Sequence, residues 1–218
     1  YKVYFIHQKD NRPFNRGAMK NAGFIILKEM YKNYKNISFV FNDVDTIPKN
    51  NKLLNYETKD GIVKHFYGYK HTLGGIVSIK GIDFENIEGF PNCWGWGFED
   101  IVLQSRCLKC NLLIDRSQFY NVNDKNFIDY ESNKGIRVLT DTDLLNRKKY
   151  LQWDSIKNIS NIKYKIDEKD ENMINIVYFD IPIKYTDVKY SSHKKDTRIT
   201  YKGKKKNLLM NNILKKLN

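Results

Sequence analysis

Two stretches of this chain carry side chains whose types and spacing could do chemistry. Asp43 and Asp45 flank Val44 just beyond the apolar run ISFVF (37–41) and ahead of Pro48. Two carboxylates one residue apart, past the end of a buried strand, can hold a divalent cation and through it a diphosphate, because Mg2+ and Mn2+ favour oxygen ligands. An Asx-type turn before the proline would use the same residues. The second stretch is GFPNCWGWGFED (89–100), in which Trp94 and Trp96 alternate with Gly95 and Gly97 immediately before Glu99 and Asp100. Alternating glycine frees a loop to move. That suits a flap whose aromatic face closes over a ring-shaped ligand such as a sugar and excludes water. Glu99 and Asp100 then open a helix, where the macrodipole and free N–H groups favour an ionised carboxylate. An ionised Asp beside such a flap suits a general base acting on an acceptor hydroxyl. A helix cap next to two core tryptophans is the competing reading; it explains the acids but not W-G-W-G.

Other reactive side chains say less. Cys107 and Cys110 form a C-x-x-C with no second pair or nearby histidine to complete a zinc site, so they read as core thiols. His65 and His71 read as satisfied core or surface residues.

The elements that must position these groups follow from periodicity. YKVYFIH (1–7) alternates like a strand. Met19, Ala22, Ile26 and Met30 fall at helical steps in a segment from Asn15 to about Tyr34. With ISFVF this makes a β-α-β unit and predicts an α/β domain with a largely parallel sheet. Further strands are expected at 62–67, 74–80, 111–115, 162–166 and 174–180, and helices at 99–110 and 140–151.

The net charge of +13 is uneven: eleven basic residues between Lys184 and Lys216 face only Asp187 and Asp196. Residues 1–182 therefore read as one catalytic domain and 183–218 as a basic extension. The extension suits an anionic membrane surface or a partner, and its NLLMNNILKKL run could form an amphipathic helix. With the charge confined there, no specific nucleic-acid partner is expected. No apolar run approaches the roughly 18–20 residues a bilayer-crossing helix needs.

The order FNRGAMKNAGF (14–24), FVFNDVD (39–45), LGGIVSI (73–79) and GFPNCWGWGFED (89–100) resembles the β-1,4-galactosyltransferase family, glycosyltransferase family 7. The resemblance implies a nucleotide-diphospho-sugar transferase (GT-A-like) α/β fold with a mostly parallel central sheet; the family's first strand and its Arg-rich nucleotide loop either lie upstream of Tyr1 or are lacking, leaving the nucleotide pocket incomplete. It implies an inverting transfer of a hexose or N-acetylhexosamine from a UDP-sugar donor to a glycan or glycoconjugate acceptor. Phe14 and Arg16 would contact the nucleotide, Asp43 and Val44 would line the donor site, and Asp45 would bind Mn2+. Trp96 would touch donor and acceptor, Gly97 and Glu99 would hold the acceptor, and Asp100 would be the catalytic base.

Three departures shape these expectations. The family's metal-binding histidine has no counterpart in Tyr120-Asn121-Val122-Asn123-Asp124, so either Asn123 or Asp124 would supply an oxygen, favouring Mg2+ as readily as Mn2+, or the site would have lost its metal. Thr72 stands where the family often has a tyrosine crowding the donor sugar, which leaves room for a bulkier, N-acetylated donor. The family's acceptor motif has no clear counterpart in 131–140. Members of the family are usually lumenal in the Golgi and membrane-anchored. Competing readings are a non-catalytic sugar- or partner-binding module derived from the enzyme, and a chondroitin-polymerase or GalNAc-transferase type domain, which typically carries W-G-G-E.

Overall fold

Asn15 decides where the first helix starts. Its side chain accepts the Ala18 N–H at 2.9 Å, capping α1 (Arg16–Met30) and satisfying one of the donors a helix start leaves open. In the computed structural model, which describes residues 1–95, 97–130, 137–140, 154–184 and 190–193, α1 lies between two sheets.

The first sheet has the order β1 (Phe5–Gln8), β11 (Met173–Asp180), β10 (Ser160–Ile166). The second runs β2 (Ser38–Asn42), β5 (Ile76–Lys80), β4 (Ile62–Gly68), β6 (Leu113–Asp115), with β7 (Tyr120–Asn121) also on β4. Two ribbons complete the pairing: β3 (Thr46–Pro48) with β8 (Phe127–Asp129), and β9 (Arg137–Thr140) with β12 (Tyr190–His193). The helices α2 (Gly81–Asn86) and α3 (Glu99–Lys109) follow β5 and the tryptophan-glycine loop. No helix among the described residues is long and apolar enough to cross a membrane.

The α/β class stands, but the sheets are mixed rather than mostly parallel. β2–β5, β4–β5 and β10–β11 are antiparallel, while β1–β11, β4–β6 and β4–β7 are parallel. The reason is connectivity: β4 and β5 are joined by a short hairpin-like loop, which can only return the chain antiparallel. The expected β-α-β unit is divided as well, since β1 and β2 belong to different sheets.

One side of α1 presents Phe24 to Phe39, Val63, Val77, Phe84, Phe90 and Leu103. The other presents Ala18, Met19, Ala22 and Ile26 to Ile174, Ile176, Phe179 and Trp94. Fully burying a phenylalanine such as Phe24 contributes roughly 1.5–3 kcal/mol, and truncating it to alanine costs about 3–5 kcal/mol. Gly23 permits the close approach to β1: a Cβ there would come within 2.8 Å of Ile6. Cys107 is a core thiol, fully buried and pushed up to about 12 by that burial, whereas Cys110, expected as a second core thiol, is exposed at the end of α3.

The expected helix at 140–151 falls outside the described residues except for Thr140, which ends β9. The amphipathic run at 207–217 also lies outside them. Within the basic extension, β12 pairs with β9, and Ile183 packs against the core beside Trp94.

Candidate active site

Arg16, the first residue of α1, reaches two carboxylates from distant parts of the chain. Its guanidinium donates to Asp100 Oδ1 at 2.8 Å and to Asp43 Oδ2 at 2.5 Å. Lys20, one turn on, donates to Asp43 Oδ1 at 3.0 Å. Burial works to raise the Asp43 carboxyl, but the Arg16 and Lys20 charges outweigh it and hold the group well below the usual carboxylate range. Burial alone would lower Arg16; Asp100, Asp43 and Glu99 reverse that and fix it as a cation.

Backbone contacts lock the motifs around this cluster. Gly95 N–H donates to Phe14 O at 3.0 Å, so the tryptophan-glycine loop docks on the residue before the Asn15 cap. Asp43 N–H donates to Gly75 O, and Leu73 N–H donates to Asp100 O. Gly74 must be glycine for Asp100 to sit where it does, since a Cβ would come within 2.3 Å of Asp100 Oδ2. FNR, DVD, LGG and the W-G-W-G-x-E-D block thus meet at one point.

The loop is clamped from below by buried amides. Asn21 accepts Phe90 N–H and donates to Phe90 O, and also donates to Asn92 Oδ1. Asn92 binds both Asp154 oxygens, at 2.6 and 2.7 Å, and Ser155 O at 2.8 Å. Arg106 donates to the Glu88, Gly89 and Asp154 carbonyls. None of these residues stands out in the sequence, because isolated asparagines in an Asn-rich chain carry no period.

Glycine at 95 and 97 has a geometric reason: both take positive φ, 79° and 125°. Trp94, however, is no lid. It is buried, stacks on Phe179 with ring centroids 5.5 Å apart, lies under Arg12, and donates its indole N–H to Ile183 O at 2.6 Å. An indole fills a core wherever its N–H finds a partner, and here it does. Trp96 lies outside the described residues.

Phe98 takes φ 74° directly before α3, a left-handed conformation costing a non-glycine residue roughly 1–2 kcal/mol. Glu99 turns inward, fully buried, and accepts Gly97 N–H at 3.0 Å. Burial pushes its carboxyl up, against the pull of Arg16 and with the Asp100 charge adding to the rise. Asp100 instead faces Arg16 and keeps part of its side chain exposed. Phe14 and Val44 are exposed, whereas Thr72 is buried with its hydroxyl on Tyr69 O at 3.3 Å.

Asp45 sits over a second set of oxygens. Its carbonyl accepts Tyr130 N–H, and its Oδ1 lies 3.3 Å from Thr46 Oγ1, which is 3.2 Å from Asp129 Oδ1. Tyr67 donates its hydroxyl to Asp129 Oδ2, and Asn123 N–H donates to Tyr67 Oη at 3.0 Å. Asn123 meets Tyr67 through its backbone, and Asp129 shares a neighbour with Asp45. Sequence reading missed Asp129 because only the register Thr46↔Asp129 in the β3–β8 ribbon brings it there. Among the described residues no three His, Cys, Asp or Glu side chains form a metal cage. An all-oxygen set with two carboxylates does fit a hard divalent cation that completes its shell with water and substrate phosphate.

Comparison with known proteins agrees with this convergence. Residues 1–58 match the family model for the N-terminal region of glycosyl transferase group 7, and residues 63–128 match that for the N-terminal domain of galactosyltransferase, together more than half of the chain. The chain belongs to the β-1,4-galactosyltransferase family. Among its relatives, β-1,4-galactosyltransferase 6 of Rattus norvegicus is 35% identical over 117 residues, 49% of this chain and 29% of that protein. β-1,4-galactosyltransferase 7 of Drosophila melanogaster is 27% identical over 188 residues, 81% of this chain and 56% of that protein. This galactosyltransferase-family chain thus spans about three tenths of the rat relative and just over half of the fly one. The fold is that of Drosophila β-1,4-galactosyltransferase 7 in complex with manganese, UDP-Gal and xylobiose, at TM-score 0.64 and 19% identity, covering 84% of this chain and 82% of that one. A second structure of the fly catalytic domain, with xylobiose, gives TM-score 0.62 at 22% identity, covering 83% and 80%.

Proposed function

We propose that residues 1–182 form an inverting glycosyltransferase domain that moves a hexose or N-acetylhexosamine from a UDP-sugar to a carbohydrate hydroxyl. The observation that carries this reading is Arg16 spanning Asp43 and Asp100, because it joins the expected donor-side and acceptor-side carboxylates in one cluster. Asp100 takes the proton of the acceptor hydroxyl as that oxygen attacks the anomeric carbon and the bond to the UDP oxygen breaks. Arg16 and the start of α3 both face the negative charge of Asp100 and orient it. Asp43, Val44 and Phe14 serve the donor, Gly97 the acceptor, and Glu99 shapes the loop between them; the family resemblance gives Trp96 a role toward both donor and acceptor. A divalent cation held by Asp45 and Asp129, Mn2+ as in the fly enzyme or Mg2+, supplies charge compensation for the departing diphosphate. Thr72 in place of a tyrosine supports an N-acetylated donor. The basic residues beyond 183 suit an anionic surface, which co-sedimentation with phosphatidylserine vesicles would read out.

The test is UDP release from UDP-galactose, UDP-N-acetylgalactosamine and UDP-N-acetylglucosamine with xylobiose as acceptor. Asp100→Asn should lower turnover about 10²–10⁴-fold with unchanged circular dichroism. Full turnover in that variant would remove the base assignment.

A further inference from the structure

β4 carries a bulge that has to be sealed. Its register against β5 shifts between His65 and Tyr67, with His65 opposite Val77 and Tyr67 opposite Ile76. A bulge leaves backbone groups without ladder partners, and in a buried strand they must find others. The His65 ring supplies them. It is completely buried, and its Nε2 lies 3.1 Å from Tyr67 O and 3.0 Å from Gly74 O.

The network fixes the tautomer. Arg116 Nε lies 3.1 Å from His65 Nδ1, and a guanidinium can only donate. Nδ1 is therefore the acceptor, Nε2 carries the proton, and that proton is shared between the two carbonyls. Burial, with the Arg116 charge beside it, pushes His65 down to about 4, which keeps the ring neutral. Arg116 is held in turn by Gln104 Oε1 at 2.8 Å, and Gln104 donates to His71 O. The chain of contacts runs from α3 through Arg116 and His65 to the Gly74–Gly75 peptide.

That peptide stands between the two carboxylates of the site. Gly75 O accepts Asp43 N–H, and Gly74 packs against the Asp100 carboxylate so closely that no side chain fits. Gly75, at φ 72°, and Gly68, at φ 135°, admit the close crossing of β4 and this loop; a Cβ on Gly75 would lie 2.3 Å from Tyr67 O. We propose that His65, held as its Nε2–H tautomer by Arg116, is a positioning residue that sets the Gly74–Gly75 peptide against Asp100 and Asp43. The inference deepens the reading of Asp100 as the base and rests on it.

The test uses the full chain with Mn2+, UDP-galactose and xylobiose. Long-range proton–nitrogen NMR should report the Nε2–H tautomer of His65 at neutral pH; the other tautomer or a charged ring would overturn the proposal. His65→Leu should lower kcat about 10–100-fold with the KM for UDP-galactose within about threefold. It should also speed hydrogen exchange of the Leu73 amide, which bonds Asp100 O. His65→Gln, which keeps a donor near the Nε2 position, should recover at least a third of kcat. Equal kcat in His65→Leu and the native chain, or equal losses in the two variants, would overturn it. If His65→Leu does not fold, Arg116→Met replaces it: loss of the tautomer preference together with reduced kcat is expected, and no change in either contradicts the proposal. Retained turnover in Asp100→Asn would sink the base reading alone, because the tautomer and the Leu73 exchange do not depend on turnover.

Discussion

Arg16 holds Asp100 and Asp43 with different nitrogens of one guanidinium, at 2.8 and 2.5 Å. The planar fork can satisfy two carboxylates at once, whereas an ammonium is a point charge with a different reach. Arg16→Lys should therefore keep the fold yet lower kcat about 100-fold, through misplacement of Asp100. Steady-state kinetics alongside circular dichroism checks this; a kcat within threefold of the native value would show that one cation suffices.

Gly74 and Gly75 should respond differently to the same added methyl group. At Gly74 the methyl meets the Asp100 side chain, Oδ2 at 2.3 Å, Cγ at 2.7 Å and Cβ at 3.3 Å, so the part-exposed carboxylate has to turn away. Gly74→Ala is expected to leave the melting temperature nearly unchanged while lowering kcat about 100-fold. At Gly75 the methyl meets the Tyr67 backbone, and φ is 72° besides. Gly75→Ala is expected to cost about 1–3 kcal/mol in denaturant unfolding.

Acid should weaken the fold through Asp43. Its carboxyl is held below the ordinary range when folded, so its contribution is present above an unfolded value of about 4 and disappears as pH falls through the lower folded value. Unfolding followed by urea from pH 6 down to pH 2 should show a loss that Asp43→Asn flattens. Glu99 has the opposite sign. Its raised carboxyl favours the folded chain at low pH and the benefit fades as pH rises, so Glu99→Gln should improve stability near neutrality.

Cation affinity should depend on Asp129 as well as Asp45. Electron paramagnetic resonance titration of free Mn2+ is expected to show roughly tenfold or greater weakening in Asp45→Asn and Asp129→Asn. Tyr67→Phe, which strips a hydroxyl from Asp129, is expected to weaken binding about tenfold. Unchanged Mn2+ binding in Asp129→Asn would leave Asp45 without a protein partner at this position.

What was readable in the sequence and what was not divide along physical lines. Nine of the elements were visible as local patterns: α1 from the period of Met19–Ala22–Ile26, the apolar or alternating runs that became β1, β2, β4, β5, β6, β10 and β11, and α3 opening at Glu99. The four site blocks were visible because their spacing is unusual. Sheet direction was not, since apolar runs look alike in parallel and antiparallel pairs. The short β3 and β8 carry too few residues for a period, which hid Asp129. Trp94 misled because a glycine-flanked tryptophan reads as mobile, while its indole partner, Ile183 O, lies 89 residues away. His65 was readable only as a satisfied core or surface histidine; which carbonyls it satisfies depends on the bulge.

Asn92 and Asp154 set the smallest piece of this protein that can be cut out and still fold. A fragment ending at 128, where the family match stops, would keep Asn92 sealed inside while discarding the carboxylate on its two donors. It would also lose β11, hence the neighbour of β1 and the ring beneath Trp94. Shortened expression versions should therefore run past Asp180, or replace Asn92 and rebuild the Trp94 pocket together.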